Sequence, residues 1–399
     1  MSAIKVAHVG DVHFCDKFLD EVGRCMNFAI DYLQDHVPDL IVIPGDTFDH
    51  KLEQNSPALF EAIEAVSCLA NIAPTLILQG TLSHDAPHAI DIFKSVQAAN
   101  EIFVVDHISQ VVLIGGIFKA FKGTIPTGAT ALLSCLPSVN KGHVAAAVGA
   151  ENAAHVVGEH VSQLLQGWAP SHLAARAAGV PTIFMSHGTV NGSITEHGCP
   201  MVGFDHELTT GTVFASEASA TMVNHIHKHQ SWRSADGTRV IAYPGSLGRL
   251  HFGEIDPKGF LIWTVTPDSA TFEFIETPAK QLVEIEFAGT PNMEELARLA
   301  KSTSKNAHVR IRFVVDEEHR ASVDKNAIAA LFSEHAETKI EGRIAPIQRQ
   351  RAAGIGQAPS LAEKLTQWCE LTGTDPVPLQ VRLMLLLADT IKKEMEAAA

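Results

Sequence analysis

The chain has 399 residues, with 30 basic and 45 acidic side chains, a formal net charge of −15, 46% hydrophobic residues, 28 Gly and 19 Pro. That composition excludes a fibrous, collagen-like or wholly disordered protein, and the acidic balance excludes nucleic-acid binding through bulk charge, which needs clustered Lys and Arg. No run of eighteen apolar residues occurs and residues 1–10 lack the layout of a signal peptide, so a cytoplasmic protein without membrane contact is expected.

In chain order, a strand is expected over 4–9 and an amphipathic helix over 18–33, with Val22, Met26, Ala29 and Leu33 on one face. A buried strand over 40–43 follows. A helix over 57–69 opens with Ser56 as N-cap and Pro57 at the first helical position, and gives way to a strand over 75–78. Further strands are expected at 102–105, 111–114, 181–185 and 239–242, with an added helix over 152–168. Strands interleaved with helices predict an α/β fold, layered, with mixed sheets.

Beyond residue 280 the pattern becomes that of a small α+β unit: strands at 281–287, 308–315 and 339–344 and helices at 293–301 and 327–335. A basic tract over 343–356 (Arg343, Arg349, Arg351) leads to two terminal helices. The first opens on a Ser360/Glu363 capping box and aligns Leu361, Leu365, Trp368 and Leu371; the second starts near Pro378 and carries Leu379, Leu383, Leu386, Leu387, Ile391 and Met395. The expected domains are 1–280, 281–345, a linker over 346–357 and a helical segment over 358–399. Of 21 histidines, 18 precede residue 281, which places metal or acid–base chemistry in the first domain. Six cysteines, none in a Cys-x-x-Cys pair, read as reduced thiols.

Apolar strands in that domain repeatedly run into acid and imidazole groups: Gly10-Asp11-Val12-His13, Pro44-Gly45-Asp46-Thr47-Phe48-Asp49, Gly80-Thr81-Leu82-Ser83-His84-Asp85, Ser186-His187-Gly188 and Asn224-His225-Ile226-His227. Each piece alone is more often structural, since Asp begins turns and His is a common surface residue. Together, each beside an apolar strand, they describe loops at strand carboxyl ends, where α/β proteins place ligand sites.

This set resembles the calcineurin-like metallophosphoesterase superfamily, and more narrowly its SbcD type, the nuclease subunit of the SbcC-SbcD DNA-repair complex. Tyr243-Pro244-Gly245-Ser246, Phe252-Gly253-Glu254 and Pro257-Lys258-Gly259-Phe260 extend the likeness. The resemblance implies a layered metallophosphoesterase β-sandwich flanked by helices, with an α+β capping domain and a C-terminal helical pair. It implies two divalent metal ions, Mn²⁺ being favoured: one held by Asp11, His13, Asp46 and His227, the other by Asp46, His187 and His225, with Asp46 bridging. His84 would stabilise the transition state or protonate the leaving oxygen, and Asp85 would orient its ring.

Two departures from the family pattern stand out. Ser83 occupies the place of an Asn that ligates the second metal, a poorer neutral donor, and Asn224 stands where the family has Gly, its amide a substitute ligand. His50 is an additional candidate for substrate contact. The implied function is a DNA exonuclease or endonuclease working with an SbcC-like coiled-coil ATPase, with a second copy of the chain as a further partner and no membrane. A small-molecule phosphodiesterase or nucleotidase, and a degenerate metallophosphoesterase acting as scaffold, are the alternatives.

Overall fold

The structure is a computed structural model that describes residues 3–139, 145, 149–195, 199, 207–345 and 355–397. Its strands begin with β1 (Ile4–His8), β2 (Leu40–Pro44), β3 (Thr75–Leu78), β4 (Ile102–Val105), β5 (Ser109–Ile114), β6 (Ile117–Ala120), β7 (Ala129–Leu136) and β8 (Thr182–His187). The short pair β9 (Thr189–Val190) and β10 (Glu207–Leu208) follows, then β11 (Ala220–Asn224), β12 (Gln230–Arg233), β13 (Val240–Tyr243), β14 (Gly259–Val265) and β15 (Ala270–Glu276). Two sheets dominate. One runs β15-β14-β1-β2-β3-β4, with β1 to β4 parallel; the other runs β12-β13-β11-β8-β7-β5-β6, parallel from β13 to β7.

Side chains alternate across these strands with a period of two, so each continuous apolar run serves two cores. Val6, Leu40, Val42, Leu76 and Leu78 of the first sheet share a buried core with Leu113, Leu133, Ile183, Met185 and Met222 of the second. The alternate residues Ala7, Ile41, Ile43 and Ile77 pack under helices α1 (Leu19–Asp35) and α2 (Pro57–Ile72), through Val22, Met26, Leu33, Val66 and Leu69. On the far side, Phe184, Val223, Ile241 and Tyr243 pack with Val157, Val161, Leu165 and Trp168 of α3 (Ala150–Ala177) and Val213 of α4 (Thr210–Ala215). The α/β expectation holds, as two sheets face to face with helices on both outer surfaces.

Several local expectations change. Ser56 occupies the N-cap position of α2 without capping it; its hydroxyl donates to Asp16 Oδ1 at 2.7 Å, and that same oxygen accepts the Ala58 N–H at 3.0 Å. The cap is therefore supplied from forty-two residues away by the other partner of the loop. α3 extends past Pro170, whose missing N–H should end it, because His172 is wholly buried and anchored: Nδ1 donates to the Ser216 carbonyl at 2.6 Å and Nε2 accepts from Ser134 Oγ at 2.7 Å. Strands β6, β7, β9, β10, β12, β14 and β15 were not among the expected elements, and β11 was expected only as an apolar strand ahead of Asn224, without bounds.

Beyond these come β16 (Leu282–Phe287), α5 (Met293–Ser302), β17 (His308–Asp316), α6 (Lys325–Leu331) and β18 (Glu337–Ala345), the strands forming a sheet in that order. The expected helix over 327–335 ends at Leu331, so it is shorter and earlier. Two final helices follow, α7 (Leu361–Thr372) and α8 (Pro376–Ala397); Ser360 Oγ accepts the Glu363 N–H at 3.2 Å, so the hydroxyl half of the capping box forms. Arg349 and Arg351 of the basic tract lie outside the described residues. The chain divides into two compact units, Met1–Ile285 with Arg298–Ile311 and Leu331–Lys339, and Glu286–Ala297 with Arg312–Ala330 and Ile340–Ala399. No helix among the described residues is long and apolar enough to cross a membrane.

Candidate metal centre

Parallel strands bring their carboxyl ends to one edge of each sheet, and the loops leaving β1, β2, β3, β8 and β11 carry the acid and imidazole groups there. The first two loops continue side by side past their strands. His13 N–H donates to the Asp46 carbonyl at 3.1 Å, Phe14 N–H to the Thr47 carbonyl at 2.9 Å and Asp49 N–H back to the Phe14 carbonyl at 3.2 Å. This ladder fixes Asp11 and His13 against Asp46 and Asp49.

The backbone is strained where the function is expected. Asp11 (φ 46°), His13 (φ 56°), Asp46 (φ 49°) and His225 (φ 115°) are four of the six non-glycine residues with positive φ among the described residues. Around Asp46 the neighbours must be glycines. A Cβ on Gly80 would fall 2.1 Å from the Asp46 nitrogen and 2.2 Å from its Oδ1, and one on Gly45 would fall 2.4 Å from His187 Nδ1.

Two groups of three side chains converge closely enough to hold a metal ion: Asp11, His13 and His227, and Asp46, His187 and His225. Asp46 faces both, its Oδ2 lying 3.1 Å from His187 Nε2 and 4.0 Å from His13 Nε2. The donor sets fit divalent cations. His13 Nε2 and His227 Nε2 face each other 3.0 Å apart, close to the separation of about 3.3 Å between two nitrogens bound at about 2.0–2.1 Å to one tetrahedral ion. His187 Nε2 is buried and makes no hydrogen bond, although a carboxylate oxygen is 3.1 Å away. Buried polar atoms are normally paired, so an atom held this way is placed for a cation. Further groups of this kind are His13, Asp49 and His84, and His227, His251 and Glu254.

Electrostatics follow from burial and from these neighbours. Burial lowers the affinity of His13 for a proton, aided by His227, and holds its pKa well below the imidazole range. Asp11 is pushed up by burial, against the pull of His187 and His227. Burial also acts to raise Asp46, but His187 and His13 outweigh it and hold the carboxyl well below the usual range. His187, despite burial, is pushed up to about 9 by Asp46, while its Nδ1 donates to the Pro44 carbonyl at 2.9 Å. Its Nε2 thus faces Asp46 Oδ2 rather than a main-chain group.

The third loop differs from expectation in three ways. Ser83 is exposed. Thr81 is the buried residue instead: its N–H and hydroxyl donate to Asp46 Oδ1 at 2.7 and 2.9 Å. Nor does Asp85 orient His84. Its carboxylate, wholly buried, accepts backbone N–H groups of Gly80 at 2.9 Å, Phe48 at 3.1 Å and Thr47 at 3.4 Å, tying the second and third loops together. Burial first, then Asp46, raises it to about 6. The ring of His84 is held by the Asp49 carbonyl, which accepts from Nδ1, and lies edge-on to His13 with centroids 4.7 Å apart.

Asn224 is committed elsewhere as well. Its Oδ1 accepts from His8 Nε2 at 2.6 Å, and its amide packs so closely on Gly10 that a Cβ there would lie 1.8 Å from Nδ2. His8 is core, as its buried ring and Trp263 partner indicate. The backbone N–H of His225, the next residue, donates to both Asp11 oxygens at 3.0 Å. His50 is exposed and pairs with Asp49 Oδ2 at 3.1 Å. His197, His206 and Lys141 lie outside the described residues.

Residues given no role from sequence also emerge. Asp49 sits 3.7 Å from His13 Nδ1 and anchors His84; its place in the Gly-Asp-x-x-Asp motif was the available signal. Glu254 accepts from His227 Nδ1 at 2.8 Å. No protein-family profile matches this chain, and no curated protein matches it either.

Proposed function

We propose that the chain is a two-metal phosphodiesterase that cleaves DNA, the nuclease subunit of an SbcC-SbcD-like end-processing complex. The observation that carries the reading is the pair of three-residue metal-capable groups with Asp46 between them. Two divalent ions, Mn²⁺ by the resemblance and by the mixed nitrogen and oxygen donors, would be held by these groups and would supply charge for a phosphodiester and a lowered pKa for a water nucleophile. The chain's own residues do the rest. Thr81 fixes one oxygen of Asp46, so the other faces the imidazoles. His84, with Nδ1 committed to the Asp49 carbonyl, keeps Nε2 for a proton at the leaving oxygen.

Assay on linear and circular DNA with Mn²⁺, Mg²⁺ or chelator, with and without the partner ATPase, tests this. Cleavage that requires Mn²⁺ and ceases with chelator is the expected result. Hydrolysis of small nucleotide esters without DNA cleavage would move the substrate class, and metal binding without any hydrolysis would leave a scaffold.

The partner reading rests on the tail. Trp368 and Leu387 are exposed, as are Leu361, Met384, Leu385 and Ile391, while Leu365 and Leu383 are half-buried. Apolar faces of this extent on α7 and α8 suit helix-in-groove or coiled-coil recognition. An SbcC-like coiled coil is the partner we assign, since it would bring the DNA-binding surface that a chain of net charge −15 lacks. Trp368→Ala is expected to weaken that complex by at least about 2 kcal/mol, as for a buried aromatic anchor, with Mn²⁺-dependent hydrolysis of a small diester unchanged. Titration calorimetry against the coiled coil reads the first, and unaltered affinity would remove Trp368 from the interface.

A further inference from the structure

The imidazoles of the candidate centre are not held alike. Nδ1 of His187 and of His84 donate to main-chain carbonyls, Pro44 and Asp49. Nδ1 of His227 instead donates to a carboxylate, Glu254 Oε1, at 2.8 Å. Glu254 is wholly buried. Its other oxygen, Oε2, accepts the Leu250 N–H at 2.6 Å and the His251 N–H at 3.5 Å, and Lys258 Nζ lies 3.6 Å away. Lys258, also buried, donates from Nζ to the His227 carbonyl at 2.9 Å and to Ser246 Oγ at 2.8 Å. The residue pair thus grips His227 twice, by its main chain through Lys258 and by its ring through Glu254.

We propose that Glu254 is the positioning residue of the Asp11–His13–His227 group: its buried carboxylate holds the proton of His227 on Nδ1 and so presents the Nε2 lone pair to the ion. The inference deepens the function proposed above and rests on that reading for the ion, though not for the tautomer. Which nitrogen of a histidine ligates is set by the hydrogen bond at the other, and a carboxylate partner also makes the ring a stronger donor than a carbonyl does. The alternative use of the same atoms, a cation held among His227 Nδ1, His251 and Glu254, would need Nδ1 deprotonated, and the 2.8 Å contact is the length of a charge-assisted hydrogen bond. The two groups then differ in kind, one backed by a carboxylate and the other by a carbonyl.

Two measurements on the full chain test this, with Glu254→Ala and Glu254→Gln. In the metal-free protein, nitrogen NMR of the His227 ring is expected to show Nδ1–H in the parent and in Glu254→Gln, whose amide oxygen still accepts, and a shift toward Nε2–H in Glu254→Ala. Mn²⁺ titration is expected to show affinity at one site falling by about 10–100-fold in Glu254→Ala and by less in Glu254→Gln, with the other site unchanged. Should Glu254→Ala fail to fold, Glu254→Gln decides alone: retained Nδ1–H with weakened binding at one site supports the assignment, and parental affinity at both sites overturns it. A parent ring protonated on Nε2, or a Glu254→Ala chain with the parental tautomer and affinities, also overturns it. A chain that binds no Mn²⁺ at all but shows the expected tautomers would sink the metal reading and leave the positioning role of Glu254 standing.

Discussion

Asp46→Asn is expected to reduce metal-dependent hydrolysis to background and to lower the number of Mn²⁺ ions bound per chain. The substitution is chosen because Asn tolerates the left-handed backbone that Asp46 adopts, at φ 49°, and because its amide oxygen can still accept from Thr81. What it removes is the negative charge facing both His187 and His13. Two cations in adjacent sites repel each other strongly at low dielectric, and Asp46 is the carboxylate placed between the two groups. Metal analysis alongside a diester assay checks the result; activity within tenfold of the parent would remove Asp46 from its bridging place.

His84→Ser separates the acid from the ligands. The expected loss is about 10²–10⁴ in rate, the usual contribution of a positioned general acid, with Mn²⁺ binding as in the parent. His84 also belongs to a metal-capable group with His13 and Asp49, so the metal measurement is the discriminating half of the experiment. Loss of bound ion together with activity would make His84 a ligand and return the proton-transfer role to another group.

How much of this was legible in the sequence depended on whether a feature is local. The Asp11/His13 and Asp46/Asp49 motifs could be read because a buried strand followed at once by Gly-Asp is a short-range pattern, and both strands lie where expected. The loop over 80–85 was legible in its residues but not in its geometry. Sequence order puts Ser83 beside His84, whereas the backbone turns so that Thr81 meets Asp46 and Ser83 faces solvent. The family resemblance likewise implied that Asp85 orients His84, but its carboxylate is consumed by three main-chain N–H groups from two loops. Such pairings depend on long-range packing and have no periodicity to betray them. Glu254 and His227 are separated by twenty-seven positions, and Asp16 caps a helix that begins far beyond its own turn. The strands β14 and β15 went unread for a related reason: they pair antiparallel to each other and β14 alone pairs with β1, so their place in the first sheet is settled only by closure with a strand more than two hundred positions earlier.

Asp11, His13, Asp46 and His84 leave strands of the first sheet, and His187, His225 and His227 leave the second. The candidate centre is therefore a seam, and any cation seated there would add to the hydrogen bonds that already tie one layer of the sandwich to the other at this edge, His187 to the Pro44 carbonyl, His225 N–H to Asp11 and His8 to Asn224. Ligation free energy would then be shared by the entire two-layer assembly, on the order of 2.7 kcal/mol at a free-ion concentration one hundred times the dissociation constant. If a metal is bound there, a chelator would loosen the two layers at one end, and the melting temperature of the domain would become a gauge of free metal.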